Sequence, residues 1–256
     1  MHWQAAAVTT STETIGSNNA VWSGPAALGT DGSIFRALTP RRYRGTMLVL
    51  PGGGYVMRAD YEADPVAEWL AGLGIASGVV DYTVPPTDPD ALLESVRTAV
   101  AIAREADPDH GPVGVLGFSA GGHLAGLTGT RASGPKRPDA LVLCYPGISL
   151  VRLASDPPVL KLLPPAYAGR EEEFSLELRL DVTTPPTFMW HTSDDEMLDV
   201  DNVYHIAQAY AAAKLPLSVH VFPHGRHGLG LATDDPTVGT WTTLCAQWLS
   251  DQGFGT

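Results

Sequence analysis

The sequence has few cysteines and no long hydrophobic run. Only two of its 256 residues are cysteine, Cys144 in an apolar strand-like run and Cys245 in a helical pattern. Both are predicted to be buried free thiols, not a disulfide. No apolar run approaches the roughly 18 residues that span a bilayer, and the first four residues, M-H-W-Q, lack the basic start of a signal peptide. We therefore expect no membrane association and a cytoplasmic location.

Positive charge is also scarce. The chain has 16 Lys and Arg against 28 Asp and Glu, which gives a formal net charge of -12. Its one basic cluster, R-R-Y-R at 41–44, is typical of a solvated turn. Because the overall negative field would repel a polyanion, the composition argues against a nucleic-acid partner.

Motifs for nucleotides and metals are missing as well. The G-G-G at 52–54 has neither a following G-K-[ST] nor the spacing of a dinucleotide fingerprint. His220, His224 and His227 lie on a strand and the loop after it, without the helical H-E-x-x-H pairing that directs two rings at zinc. The acidic run 194–201 lacks the glycine and final glutamate of a calcium loop. We expect no metal and no organic cofactor.

From Thr46 onward, short apolar runs alternate with helical segments. The runs are 47–50, 76–80, 113–118, 141–145, 187–190 and 217–222. Between them, residues 90–107 place their apolar side chains on one face, which predicts a helix. This alternation is typical of a parallel sheet flanked by helices. We predict a single α/β domain over residues 1–256 with a mostly parallel sheet of about eight strands.

Two parts of the chain depart from this alternation. Residues 1–45 are assigned to the edge of the sheet, with antiparallel strands within 20–45 and a hairpin near Asp31-Gly32. After Pro146, residues 149–184 contain several prolines and glycines and few strand signals, which predicts an insertion that leaves the sheet. This insertion is either a small cap over a site or a surface excursion without a role.

The most informative segment is G-F-S-A-G-G-H at 117–123. It follows an apolar run and precedes a helical pattern, so Ser119 lies at the carboxyl end of a strand, where open parallel sheets bind ligands. A sharp strand-to-helix turn strains the backbone of its central residue and needs small neighbours on either side, which Gly117 and Gly121 provide. Ser119 is therefore predicted to be a nucleophile.

A nucleophilic serine needs an imidazole base, and the base needs a carboxylate that fixes its tautomer. In this architecture the carboxylate comes next in the chain, after a later strand. The run 187–190 ends in H-T-S-D-D-E, which contains both Asp194 and Asp195. We favour Asp195 because it lies deeper in the loop, four residues after His191. The alternative for either residue is a cap of the following helix.

The base is expected after the last strand, in P-H-G-R-H-G. His227 is flanked by glycines that let its ring reach across the sheet, whereas His224 follows the strand directly. We therefore favour His227. His123, in the helix that follows Ser119, and His191 are interpreted as structural histidines.

The segment P-G-G-G-Y at 51–55 directly follows the first apolar run. Acyl transfer develops negative charge on a carbonyl oxygen, and unobstructed backbone amides stabilise that charge. The glycines predict an oxyanion hole in this loop, with the amide of Ala120 as a second contributor.

These segments, with P-P-T-F-M-W-H-T-S-D-D at 185–195 and F-P-H-G-R-H-G-L-G at 222–230, resemble the α/β-hydrolase esterases of the acetylxylan-esterase-like type, related to the hormone-sensitive-lipase group. The resemblance extends from about Thr46 to Leu249, and Asp195 has the register of the H-G-x-x-D segment of related hydrolases. It implies an α/β-hydrolase fold and a serine esterase for short acyl groups, often acetyl esters of sugars, without metal or cofactor. By motif position it implies the roles of nucleophile (Ser119), base and acid (His227), orienting carboxylate (Asp195) and oxyanion donors (Gly53, Gly54, Ala120).

The sequence departs from the family pattern at two positions. Pro51 replaces the histidine of the lipase group's H-G-G-G, which removes a side chain that anchors the loop. Glu196 stands where related sequences often have proline, which adds charge near the triad and bears on substrate choice. The candidates to line the substrate pocket, each with core packing as the alternative, are Tyr55, Tyr82, Trp190 and Met197.

The function that these features favour is hydrolysis of short-chain acyl esters, especially acetyl esters, with carbohydrates among the alcohols. A thioesterase, a peptidase or an acyltransferase is the alternative, because all use the same triad and a similar tetrahedral intermediate. A non-catalytic binding protein is less favoured, since every part of the triad is present. The expected partner is a small-molecule ester, and the sequence leaves the oligomeric state open.

Overall fold

The computed structural model describes residues 14–15, 20–28, 31–106, 109, 111–155 and 163–256. The start of the chain, where a signal peptide would lie, and residues 156–162 of the expected insertion are outside the described residues. From Thr46 onward, the described strands and helices alternate, as the spacing of the apolar runs predicts.

The strands and helices are numbered along the chain. The strands are β1 (Thr14–Ile15), β2 (Ala20–Ala27), β3 (Ile34–Thr39), β4 (Thr46–Leu50), β5 (Ala76–Asp81), β6 (Val113–Phe118), β7 (Ala140–Cys144), β8 (Thr187–Thr192) and β9 (Leu217–Phe222). The helices are α1 (Asp64–Gly72), α2 (Pro89–Ala106), α3 (Ser119–Gly129), α4 (Leu150–Ser155), α5 (Asp201–Ala213) and α6 (Trp241–Asp251). Short 3-10 turns include Asp60–Glu62, Pro165–Tyr167 and Leu176–Leu178.

The strands form one sheet in the order β1-β2-β3-β5-β4-β6-β7-β8-β9. The pairs from β5 through β4 to β9 are parallel. At the other edge, β3 pairs antiparallel with β5, and β2 and β1 continue that antiparallel edge. The prediction of a mostly parallel sheet flanked by helices is confirmed. The sheet has nine strands because the two-residue β1 extends its edge.

The antiparallel strands expected between residues 20 and 45 are β2 and β3. Their register pairs Trp22 with Leu38. At the end of the connection between them, Asp31 accepts hydrogen bonds from the amide of Ser33 at 3.1 Å and from its hydroxyl at 2.6 Å. These local bonds stabilise the turn that leads into β3.

The central strands β4, β6, β7 and β8 are buried along their whole length. This burial is typical of parallel sheets covered on both faces. Alternate residues of β4 face opposite sides: Leu48 packs in the core that includes residues of α2, α3 and α5, and Met47 packs in the core that includes residues of α1 and α6. Cys144 and Cys245 lie in the second core, and both are free and buried, as predicted.

The helix predicted over residues 90–107 is α2, Pro89–Ala106. Asp88 precedes it and accepts hydrogen bonds from the amides of Asp90 at 3.0 Å and Ala91 at 3.2 Å, which caps the helix start. The helix presents an apolar face to the core and a polar face to solvent. Within the described residues, none of the helices is both long and apolar enough to cross a membrane.

Candidate active site

Ser119 is the first residue of α3, directly after the central strand β6. The strained turn that the motif predicts is present, because Ser119 has a φ of +50°. The glycines on either side make room for neighbouring backbone: a Cβ on Gly117 would lie 2.2 Å from the carbonyl oxygen of Gly121, and a Cβ on Gly121 would lie 2.2 Å from that of Leu50. Glycine at both positions therefore permits the sharp turn.

Ser119 is the first member of a hydrogen-bonded chain of three side chains. Its Oγ lies 2.8 Å from Nε2 of His227, and Nδ1 of His227 lies 2.7 Å from Oδ2 of Asp195. A carboxylate can only accept, so Nδ1 carries the proton and Nε2 accepts the serine hydroxyl. The loops after β8 and β9 thus bring a carboxylate and a base to the serine. His227 lies 108 positions from Ser119 and 32 positions from Asp195 in the chain.

The structure separates the two neighbouring aspartates. Asp195 is buried, and its Oδ1 also accepts the amides of Met197 at 2.8 Å and Leu198 at 2.9 Å. Burial alone would raise the pKa of Asp195, but these amide bonds and the bond to His227 outweigh it and hold the pKa below its usual value. Asp195 is therefore the carboxylate that is held ionised beside the imidazole.

Asp194 has a different partner. It is exposed, and its carboxylate lies 3.0 Å from Nδ1 of His224 and accepts the amide of Gly225 at 2.7 Å. The hydrogen bond with His224 lowers the pKa of Asp194. Asp194 thus links the loop after β8 to the loop after β9. It is not part of the hydrogen-bonded series from Asp195 through His227 to Ser119.

His123 and His191 are both buried and lie outside the three-residue chain. Nδ1 of His123 lies 2.7 Å from the Tyr55 hydroxyl, and Nε2 lies 2.7 Å from the carbonyl oxygen of Phe174. Burial lowers the pKa of His123 to about 4, which keeps the ring neutral near pH 7. His191 is bonded to the backbone of Thr192, and burial lowers its pKa as well. Both therefore hold neighbouring segments, as the sequence indicated.

The glycine loop after β4 faces the same site. Gly53 and Gly54 have φ values of +127° and +63°, which favour glycine. Within the described residues, neither amide donates a hydrogen bond, although the Gly53 carbonyl accepts the amides of Val56 and Met57. Ala120 is the second residue of α3, so its amide is among those without a partner inside the helix. Gly53, Gly54 and Ala120 line one cavity with Ser119 and His227.

That cavity has a volume of about 400 Å³ and largely apolar walls. The side chains that form these walls are Val56, Met57, Leu150, Leu153, Leu163, Pro164, Met197 and Leu198. Of the four pocket residues proposed from the sequence, Tyr55 and Met197 line the cavity. An apolar cavity at the serine favours an apolar group next to the reacting carbon.

Tyr82 and Trp190 do not line the cavity, so their assignment to the pocket is wrong. Both are fully buried. The Tyr82 hydroxyl donates to the carbonyl oxygen of Pro51 at 2.6 Å, which supports the glycine loop from behind. Trp190 stacks on Trp241 with ring centroids 5.3 Å apart in the core between the sheet and α6. Glu196 is exposed and also lies outside the cavity lining.

Two buried residues of the site were missed in the sequence. Glu62 lines the cavity and accepts the amide of Gly52 at 2.7 Å, and the Tyr145 hydroxyl donates to its other oxygen. An acidic residue just before a helix is common as a favourable partner of the helix dipole, so Glu62 carried no distinctive signal. Tyr145 directly follows β7, and its place at the carboxyl end of a central strand was a signal that could have identified it.

The chain is similar to known proteins over most of its length. Residues 47–230 match a family model described as the alpha/beta hydrolase fold. Endo-1,4-beta-xylanase B of Butyrivibrio fibrisolvens is 34% identical over 212 residues, which cover 75% of this chain and 33% of that protein. Acetylxylan esterase of Xylanibacter ruminicola is 30% identical over 232 residues, covering 84% and 46%. The chain therefore spans about a third to a half of the length of these curated relatives.

Solved structures give matches over nearly the whole of both chains. An acetyl ester-xyloside bifunctional hydrolase from Caldicellulosiruptor lactoaceticus has a TM-score of 0.74 at 36% identity, covering 94% of this chain and 91% of that chain. A sugar hydrolase from Lactococcus lactis has a TM-score of 0.77 at 26% identity, covering 95% and 98%.

Proposed function

This chain belongs to the alpha/beta hydrolase fold family, and on that premise we propose that it is a serine carboxylic-ester hydrolase. Its substrates are short-chain acyl esters, especially acetyl esters, with carbohydrates among the alcohols. The observation that carries the proposal is the continuous hydrogen-bonded chain from Asp195 through His227 to Ser119, which ends at an apolar cavity.

In the first half of the reaction, Ser119 Oγ bonds to the ester carbonyl carbon while Nε2 of His227 takes the hydroxyl proton. The carbonyl oxygen becomes an oxyanion, which the amides of Gly53, Gly54 and Ala120 stabilise. The bond from carbon to the alcohol oxygen then breaks, and His227 returns the proton to that oxygen. The products are a free alcohol and an acyl group on Ser119.

Water completes the cycle. His227 takes a proton from a water molecule as the water oxygen bonds to the acyl carbon, and the oxyanion forms in the same place. The bond to Ser119 Oγ breaks, and His227 protonates that oxygen. The carboxylic acid leaves and the serine is restored. Throughout, Asp195 holds the proton on Nδ1 and stabilises the imidazolium.

The acyl preference is supported by the relatives more than by the cavity. Two of the similar proteins, the acetylxylan esterase and the acetyl ester-xyloside bifunctional hydrolase, are named for acetyl esters. Apolar walls stabilise a methyl group and a longer chain alike, at about 25 cal/mol per Å² of buried apolar surface.

The polar side chains of the cavity, His123 and Glu62 among them, already bond within the protein. A sugar would therefore lie at the solvent-exposed mouth, where Tyr61 is half exposed.

The acyl preference is tested with p-nitrophenyl esters from acetate to octanoate. We expect kcat/KM to fall as the acyl chain lengthens, and we expect acetate release from acetylated xylo-oligosaccharides. An increase in kcat/KM toward octanoate would reject the short-acyl preference and leave the esterase assignment. Absence of turnover with every ester, from a folded protein, would reject the hydrolase assignment itself.

A second prediction concerns the glycine loop. Gly53→Ala is expected to lower kcat/KM by roughly 100-fold, comparable to the loss of an oxyanion donor. The new Cβ would lie 2.2 Å from the carbonyl oxygen of Met57, so the loop must shift and carry its amides away from the oxyanion. Gly72→Ala is the control, because this glycine at the end of α1 is exposed and its new Cβ would have no atom within 4 Å. A Gly53→Ala variant as active as Gly72→Ala would contradict the assigned role.

We also propose that residues 1–256 form one domain and that residues 149–184 act as a small cap. The described part of this segment contributes Leu150, Leu153, Leu163 and Pro164 to the cavity wall. It is anchored to the body by His123, whose ring is bonded to the Phe174 carbonyl oxygen. The cap therefore closes the side of the cavity where the acyl group would be buried.

A further inference from the structure

Glu62 is a buried carboxylate whose partners all belong to the active site. It lies in the turn before α1 and is 1% exposed. Among the described residues, no Lys or Arg forms a salt bridge with it. Its Oε2 accepts the amide of Gly52 at 2.7 Å, and its Oε1 accepts the Tyr145 hydroxyl. A buried charge without a cationic partner is costly, so its position calls for a specific role.

The directions of the hydrogen bonds show which protonation state the site accommodates. The amide of Gly230 donates to the Tyr145 oxygen at 2.8 Å, and the Tyr145 hydroxyl donates in turn to Oε1 of Glu62. The amide of Gly52 can only donate. Both carboxylate oxygens therefore accept hydrogen bonds from fixed donors, which is the arrangement of an ionised carboxylate. Burial raises the pKa of Glu62 above its usual value, and the bonds from Tyr145 and Gly52 and the charge of His227 in its imidazolium form offset that rise only in part.

This network joins two loops of the site. Gly52 begins the loop that contains Gly53 and Gly54, and Gly230 ends the loop that carries His227. The Tyr145 ring also packs edge-on against the His227 ring, with centroids 5.1 Å apart. Tyr145 has a φ of +37°, a strained conformation for a residue other than glycine, and such strain is concentrated at functional sites.

We infer that Glu62 is a positioning residue that acts through Tyr145 and Gly52. It holds the oxyanion loop and the His227 loop in register with Ser119, and its negative charge favours the imidazolium that forms when Ser119 attacks. This inference rests on the proposed function. In a site shielded from water, a fixed charge that faces a developing charge stabilises the transition state.

Several charged and titratable groups surround Glu62 and His227. Asp195 faces Nδ1 of His227 and Ser119 faces Nε2. The nearby His191 is kept neutral by burial, which lowers its pKa. Among the described residues, the other titratable neighbours of Glu62 are Tyr61, Tyr82 and Cys144. Burial raises the pKa of all three, so they stay neutral, and Arg226 lies beyond Tyr61. Among the described residues, Glu62 and Asp195 are carboxylates that interact electrostatically with His227.

The test compares Glu62→Gln and Tyr145→Phe with Glu68→Gln, which removes the same charge from an exposed position on α1. Two readouts are used: the pH profile of kcat/KM with p-nitrophenyl acetate, and the rate at which a fluorophosphonate probe labels Ser119. The probe requires an activated serine but no particular ester, so it separates failure of this inference from failure of the proposed function. Thermal unfolding checks that each variant folds.

For Glu62→Gln we expect both rates to fall by roughly 10- to 100-fold, mainly in kcat, with the acidic limb of the profile moved to lower pH. The limb moves in that direction because an anion that favours the imidazolium is lost. Tyr145→Phe keeps the carboxyl group of Glu62 and removes the link to Gly230, so we expect a smaller loss of rate and a smaller movement of the acidic limb. Glu68→Gln should match the wild type.

Wild-type labelling and turnover in a folded Glu62→Gln variant would overturn the inference. A loss of rate without movement of the acidic limb would overturn the proposed effect of the Glu62 charge on the His227 imidazolium. Only the effect of Glu62 on the positions of the two loops would then remain. If Glu62→Gln does not fold, Tyr145→Phe tests the inference instead. Full activity in a folded Tyr145→Phe variant would show that the link between the two loops is dispensable and would overturn the inference.

Discussion

Replacing Ser119 with alanine is expected to lower kcat/KM for p-nitrophenyl acetate by about 10⁵- to 10⁶-fold, as removal of the triad nucleophile does in serine hydrolases. The reason is that the substitution removes the hydroxyl that lies 2.8 Å from Nε2 of His227. The activity that remains would come from substrate binding and from the oxyanion amides, which act on attack by water as well.

The same variant is expected to remain folded. Alanine keeps the Cβ and can adopt the strained backbone of the turn, with its φ of +50°, and the change loses one hydrogen bond, worth about 1 kcal/mol. Ser133→Ala makes the identical change at an exposed position and serves as the control. Activity within about tenfold of the wild type would show that another group attacks the ester. Mass spectrometry of protein labelled with a fluorophosphonate would then identify that group.

The second large effect is expected from one of two adjacent aspartates. Asp195→Asn should lower kcat by about 10⁴-fold, because an amide at this position cannot hold the proton on Nδ1 or stabilise the imidazolium. Asp194→Asn should stay within about tenfold of the wild type, because it weakens only a link between two loops. The two variants differ by one position and have the same change in charge, so each is the control for the other.

These variants are compared by single-turnover rates and by thermal unfolding at several pH values. The pKa of Asp195 lies below its ordinary value in the folded protein, so its ionisation stabilises the fold above the pKa of the unfolded chain. That stability is lost as the pH falls through the folded-state pKa. The dependence on acid pH should therefore be weaker in Asp195→Asn. A larger loss of activity in Asp194→Asn would contradict the assignment of the carboxylate.

The Ser119 turn was predictable because its physical requirements lie within a few consecutive residues. A strand that ends in a sharp turn needs glycine where backbone atoms approach each other, and that requirement appears as Gly117 and Gly121 in the sequence itself. The same is true of the glycine loop at 52–54, whose left-handed φ values favour glycine. The alternation of apolar runs and helical segments similarly predicted a parallel sheet, since each run must be buried on both faces.

Other features depended on contacts that no local pattern records. Tyr82 and Trp190 follow or belong to strands whose ends surround the site, yet their side chains support the glycine loop and fill the core. The direction of a side chain at a strand end depends on the local twist and on its neighbours in space. The choice between Asp194 and Asp195 was of the same kind, because a shift of one residue separates a carboxylate that bonds His227 from one that bonds His224.

The sequence by itself determined the fold class, the turn at Ser119 and the order of the candidate carboxylate and base. Each of these follows from short-range sterics or from hydrophobic periodicity. Only the tertiary structure decided which aspartate meets His227, which aromatic residues line the cavity and why Glu62 is buried. Glu62 lies 10 positions from Gly52 and 83 from Tyr145, and its two hydrogen bonds exist only because the sheet brings the carboxyl ends of β4 and β7 to the same edge.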